Sequence, residues 1–355
     1  MRAIPTNYVE HGSILGENLY SSEGRVLIKK GTTLTLDLIK KIEQNKIYTV
    51  YIENEHSKVE VNRLLDQSFR LKGTLLIKEL FHAASKNENI FDIHHRLLAY
   101  IEDVLYEIRS YQKIQIEYID IKNIDNYIYS SALNVALISA LISWELGYGS
   151  DMVKEIFIGA IYHDIGIALL PKAIITKKEA LNLEEKRMIL SHPQLGYEYI
   201  KNHNFLSAYV KTIVFQHHEQ TDGTGYPLRL RGGAINKIAQ IIGIADIYDA
   251  MTSDRPYRRA VCPKEAIEFI VANKGKKYFL DVAEAFIQRI APYPRGTIVM
   301  LSNGYPAVVE EIDHNWPLRP TVKIIYQTTA GYYYETMELM KHQNVLIDHV
   351  MYTKV

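Results

Sequence analysis

Cysteine is almost absent: the 355-residue chain carries one, Cys262. An internal disulfide is therefore excluded, and so is a thiolate cluster as a metal site. Net charge is missing too, with 41 basic residues against 41 acidic ones. That balance argues against a broad footprint for a nucleic-acid polymer or an anionic membrane. The start, MRAIPTNYVEHG, lacks the charged-then-apolar pattern of a leader. Long apolar runs are also lacking; the longest, NVALISALISWELG, is broken by Asn, Ser and Glu and is too short to span a bilayer. Together these absences lead to the expectation of a soluble, cytoplasmic protein without a membrane or nucleic-acid partner.

What is present is apolar texture and tyrosine. Hydrophobic residues make up 47% of the chain, enough for a sizeable core in two or three domains. The 26 tyrosines are read as cover for half-buried sheet and helix faces.

The texture changes along the chain. Residues 1–58 read as a small α/β unit: GRVLIKKGTTLT and YTVYIE have strand character, and LDLIKKIEQNKI places Leu36, Ile39 and Ile42 on one helical side. Residues 59–124 hold two helices with polar faces and apolar stripes, broken near Asn87–Asn89, and are expected to be a connector through which a homodimer could form. His94 and His95 lie there without a carboxylate-rich motif and are read as packing or surface residues. Residues 125–290 form a run of apolar helices. Residues 291–355 turn β-rich, with Asn303-Gly304 and Ala330-Gly331 as turn signals. The fold class expected is mainly α: an all-helical domain with a small amino-terminal α/β unit and a small carboxy-terminal β appendage.

Four segments bring metal-type ligands into the helical block. They are AIYHDIG with His163 and Asp164, LSHPQLG with His192, QHHE with His217 and His218, and IADIYDAM with Asp246 and Asp249. Imidazole and carboxylate together suit Fe, Mn or Zn. Adjacent His163 and Asp164 would point about 100° apart on a helix, so one could bind terminally while the other bridges two cations. Two such cations would polarise a phosphoryl oxygen and activate water. Taken singly each segment has a bland reading, since His and Asp are common near helix ends. Asp246 is harder to dismiss, because a carboxylate among apolar residues is costly unless it is paired.

The ordered series HDIG, SHPxxG, HHE, DGTGYP and ADxYDAMTSDRPYR resembles that of HD-GYP domains, a branch of the HD phosphohydrolase superfamily. The resemblance covers about residues 125–290 and implies an all-helical HD-type domain that hydrolyses cyclic di-GMP to the linear dinucleotide, and on to GMP, with two divalent metal ions, iron or manganese. It implies that His163, Asp164 and Asp246 hold one metal, that Asp164 bridges to a second, and that His192 and His217 complete the second. His218 falls where the family can serve a third. Asp164 and Asp246 would be the catalytic carboxylates. Asp222, Gly225, Tyr226 and Pro227 would form the signature loop beside the substrate. Arg255 and Arg258 would face its phosphates, where a planar guanidinium matches phosphate oxygens.

The chain departs from that pattern at five positions. Ser131 stands where the family has a first-helix histidine, and Tyr127 where trinuclear members have a glutamate; no third metal is therefore expected. Ile167 replaces the lysine that follows HDIG, which removes a positive charge from the phosphate side. Gln240 replaces an arginine common in the family, and Leu280 an aspartate. These substitutions leave a second reading open: a weak or inactive receptor for cyclic di-GMP, or a scaffold for a partner such as a diguanylate cyclase. A phosphohydrolase acting on another nucleotide is a third.

Overall fold

A computed structural model describes all residues except 22, 54, 57–63, 112–115, 117–125, 176, 178, 254–259, 314–315, 330 and 354–355, and the described residues form three hydrophobic cores. Arg255, Arg258 and Ala330 lie outside the described residues.

The amino-terminal unit is built from β1 (Arg2–Pro5), β2 (Leu19–Tyr20), β3 (Val26–Ile28), α1 (Leu36–Gln44) and β4 (Thr49–Ile52). β1 pairs antiparallel with β4, and β2 with β3. Thr35 caps α1 by accepting the Leu38 amide hydrogen, which satisfies one of the free donors of the first turn. Ile42 then closes a small core with Ile4, Leu15, Leu34 and Val50.

The helical block runs α2 (Gln67–Ser85), α3 (Phe91–Ile108), α4 (Tyr127–Glu145), α5 (Ser150–Tyr162), α6 (Lys172–Ile175), α7 (Leu183–Leu190), α8 (His192–Ile200), α9 (Ala208–Gln216), α10 (Lys237–Thr252), α11 (Pro263–Ala272) and α12 (Leu280–Arg289). The break between α2 and α3 falls at Asn87, whose φ of 55° lies in the left-handed region that asparagine tolerates. α2 and α3 do not stand apart as a connector. Their buried residues Leu80, Leu97, Tyr100 and Val104 belong to the same core as Leu137 of α4, Phe157 of α5 and Ile242 of α10. These residues of the two stripes thus pack within the chain.

α4 is the central helix. By length and composition it could cross a membrane, longer than the broken apolar run suggested, yet most of it is buried inside the protein. It is apolar all round because α2, α5, α10 and α12 surround it.

The carboxy-terminal part is a five-stranded antiparallel sheet of β5 (Ile298–Leu301), β6 (Pro306–Glu311), β7 (Thr321–Thr328), β8 (Gly331–Glu338) and β9 (Ile347–Val350), in the order β8-β7-β6-β5-β9. Its own core contains Val299, Leu301, Val309, Val322 and Ile324. The mainly helical fold with a terminal sheet is the class expected from the sequence.

Candidate metal centre

Three histidines reach the centre by one local device. His163 follows α5, His192 opens α8 just after α7, and His217 follows α9. Each ring turns its Nδ1 back onto a carbonyl of the preceding turn. The distances are 2.6 Å from His163 to Ala160 O, 2.8 Å from His192 to Ile189 O, and 3.1 Å from His217 to Val214 O. The carbonyl accepts, so Nδ1 carries a proton, and in the neutral ring Nε2 is left with its lone pair. All three Nε2 atoms face Asp164.

The Asp164 carboxylate divides its oxygens between two sets. Oδ1 lies 3.0 Å from His192 Nε2 and 3.8 Å from His217 Nε2. Oδ2 lies 3.5 Å from His163 Nε2, which is itself 3.9 Å from Asp246 Oδ1. Ligand atoms of Asp164, His192, His217 and His218 all lie within 4.8 Å of one another. His163 and Asp246 flank that group on the Oδ2 side.

Electrostatics fit the arrangement. Burial pushes the Asp164 carboxyl up, but His163 and His192 outweigh it and hold the carboxyl well below the usual range. Burial pulls His192 down, yet Asp164 overcomes this and leaves it raised. His217 and His218 are pushed well down, first by burial and then by the neighbouring imidazoles. His217 and His218, held neutral beside an ionised carboxylate, are in the donor state a cation needs, whereas His192 would give up the proton that Asp164 favours when a cation binds.

These residues fit divalent metal ions. His163 Nε2 is fully buried and has no hydrogen-bond partner among the described residues, an orphaned acceptor aimed at two carboxylates. The donor set is nitrogen and oxygen, as Fe or Mn accepts.

Two close approaches make the assembly possible. A Cβ on Gly166 would stand 2.0 Å from the His192 carbonyl oxygen, so the turn after Asp164 presses on α8 only because residue 166 is glycine. A Cβ on Gly225 would lie 2.3 Å from the Gln220 amide nitrogen and 2.5 Å from the His218 oxygen. The loop thereby folds back on the histidine pair, and Tyr226 stacks on His218 with ring centroids 4.5 Å apart. Burial, then Asp246, raises the Tyr226 phenol, which keeps its proton. Pro227 follows through a cis peptide bond. Asp222 sits at the turn, where its Oδ1 accepts from the Thr224 amide at 2.9 Å and from the Thr224 hydroxyl at 2.6 Å.

Glu219 was quoted in the motif but given no role by the sequence. It is buried, and its two oxygens accept the Leu228 and Leu230 amides at 2.6 and 2.8 Å, which pins the loop after Pro227. Gln240 donates to the Glu219 carbonyl at 2.6 Å and accepts from the Phe279 amide at 3.3 Å, so it braces the same loop. For Gln240 the signal was a polar residue among apolar neighbours; Glu219, set among other polar residues, carried no such signal.

Ser131 lines the cavity over the centre, and its hydroxyl donates to Asp249 Oδ2. That cavity holds about 460 Å³, within the range of small-molecule sites. Its floor is Asp164, Asp246, His192 and His218, and Tyr127 and Tyr226 border it. Ile167 adds to an apolar wall with Leu170, Ile174 and Ile189. Lys177 at the rim donates to both Glu185 oxygens at 2.7 Å, whereas Lys186 has no ion partner among the described residues.

Comparison with known proteins agrees with this architecture. Residues 121–281 match the HD domain family, and residues 298–354 match the KOW domain associated with HD domain. Residues 121–281 of the helical block are thus similar to an HD domain, and their motif series resembles that of the HD-GYP branch. Among named proteins, the chain is 29% identical over 230 residues to the cyclic di-GMP phosphodiesterase PA4108 of Pseudomonas aeruginosa, covering 65% of this chain and 55% of that protein. It is 28% identical over 263 residues to the 3'3'-cGAMP-specific phosphodiesterase 1 of Vibrio cholerae, covering 64% and 58%. The chain thus spans little more than half the length of these relatives. Among solved structures, Bd1817, a HDG"Y"P protein from Bdellovibrio bacteriovorus, is similar in fold, with a TM-score of 0.50, 15% identity, and coverage of 80% of this chain and 97% of that one.

Proposed function

We propose that this protein is a metal-dependent phosphodiesterase of cyclic dinucleotides, with cyclic di-GMP as its substrate. The observation that carries the reading is the placement of Asp164 between two imidazole sets on the floor of a cavity of about 460 Å³. Relatives named as phosphodiesterases of cyclic di-GMP and of 3'3'-cGAMP support the substrate class.

His163, Asp164 and Asp246 would hold one divalent ion, and Asp164, His192 and His217 another, with His218 beside them. Such ions supply charge stabilisation of a phosphoryl oxygen and a nucleophile from water at neutral pH. The chain does the rest. Backbone carbonyls fix the three rings before substrate arrives. The wall of Ile167, Leu170 and Ile174 excludes bulk water and gives a base or ribose an apolar face. Tyr226 presents a protonated hydroxyl at the cavity edge, where it can donate to a phosphate or base oxygen. Arg255 and Arg258 are proposed to approach the phosphates from beyond the described residues.

The test is anaerobically purified protein supplied with Fe(II) or Mn²⁺ and incubated with cyclic di-GMP and, separately, 3'3'-cGAMP. Linear dinucleotide should appear with wild-type protein and not with Asp164→Asn. Absence of product from either nucleotide, with both metals verified, would overturn the enzymatic reading. Nucleotide binding without turnover in that sample would mark a receptor instead.

A further inference from the structure

The buried carboxylate of Asp249 plays no part in the arrangement described above. It is 1% exposed, and it sits three residues after Asp246 on α10. Two donors from α4 hold it. Ser131 donates to Oδ2, and Asn134 Nδ2 donates to Oδ1 at 2.5 Å. Behind them, Arg70 Nη2 donates to Asn134 Oδ1 at 3.3 Å. Arg70 is 7% exposed and belongs to α2, outside the residues that match the HD domain.

α10 meets α4 mainly through apolar side chains such as Ile241, Ile242 and Ala245. Apolar packing resists separation but is weakly directional. Hydrogen bonds onto both oxygens of one carboxylate fix the rotation and height of a helix, because their geometry is demanding. Residues three apart share a helical face, so whatever fixes Asp249 also fixes Asp246 opposite His163. A charged donor on the far side of Asn134 polarises its amide and strengthens the bond to Asp249.

We propose that Arg70 is a positioning residue for the metal-binding carboxylate Asp246, acting through Asn134 and Asp249. The helix that precedes the HD domain thereby completes the site. This rests on the reading of Asp246 as a ligand, and charge alone argues the other way. Deleting a cation near a cation site would, by Coulomb attraction, tighten metal binding. Positioning predicts that it weakens.

The experiment is calorimetric titration of metal-free full chain with Mn²⁺, without nucleotide. Arg70→Met and Asn134→Leu should each weaken one of the two binding events about tenfold or more, the usual cost of removing an outer partner. Arg70→Lys should recover most of the loss. The double variant should be no worse than Asn134→Leu, because the two residues act in series. Unchanged or tighter Mn²⁺ binding in Arg70→Met, or a fall in Tm alone, overturns the proposal. Should Arg70→Met not fold, Asn134→Leu carries the same test. If wild-type protein binds no Mn²⁺ at all, the metal-centre reading fails instead.

Discussion

Asp164 Oδ1 stands 3.0 Å from His192 Nε2, while the other oxygen of the same carboxylate serves His163. One side chain thus joins α5 to α8 at the centre. Asp164→Asn keeps the shape but removes the charge shared by the two imidazole sets. It should lower the Mn²⁺ or Fe content from the two per chain proposed above to one or none, with affinity reduced on the order of 100-fold. Metal analysis of the purified variant after dialysis checks this.

Gly166→Ala should damage the same junction from behind. The new methyl would stand 2.0 Å from the His192 carbonyl oxygen and 2.7 Å from the Gly196 amide nitrogen, both backbone atoms that cannot rotate away. α8 must shift, at a cost of about 1–3 kcal/mol. Urea unfolding should record the loss, and Mn²⁺ titration should weaken with it because His192 moves.

Glu219→Ala would leave the Leu228 and Leu230 amides without their acceptor. We expect a loss of about 1–3 kcal/mol. Amide hydrogen exchange at Leu228 and Leu230 should accelerate, while exchange in α4 and α5 stays slow. Nucleotide affinity should fall with metal content intact, since the loop bearing Tyr226 loosens and the ligands do not.

His94 gives the protein an acid-sensitive limb away from the metal centre. Its ring is buried, bonded at 3.1 Å to the Tyr162 hydroxyl, and pushed down to about 4, by burial first and then by His95. An unfolded histidine titrates near 6.5. Between those values the unfolded chain takes up a proton that the folded chain refuses, so stability falls as pH drops from about 6.5 towards 4. His94→Phe should flatten this decline in urea midpoints measured at pH 7.5 and 5.0. An unchanged slope would show that His94 does not contribute.

The candidate ligand cluster was legible because each histidine and aspartate lay in a short, ordered motif. The division of labour between Asp246 and Asp249 was not. Both sit in IADIYDAM, and only the fold turns Asp246 towards His163 and Asp249 towards Ser131 and Asn134. Arg70 was invisible for another reason: it meets Asn134 across 64 residues of chain, and no local pattern encodes that contact. The stripes on α2 and α3 were visible, but a stripe reads alike whether its partner is another molecule or its own chain. Ser131 looked like a lost ligand; the structure gives its hydroxyl a different partner, Asp249.

The backbone carbonyls that grip His163, His192 and His217 carry a kinetic implication. Rings already locked in place have little rotational freedom left to surrender when an ion arrives. Loading should therefore proceed at nearly the rate of encounter, and exchange of one metal for another should be governed by how fast the first departs.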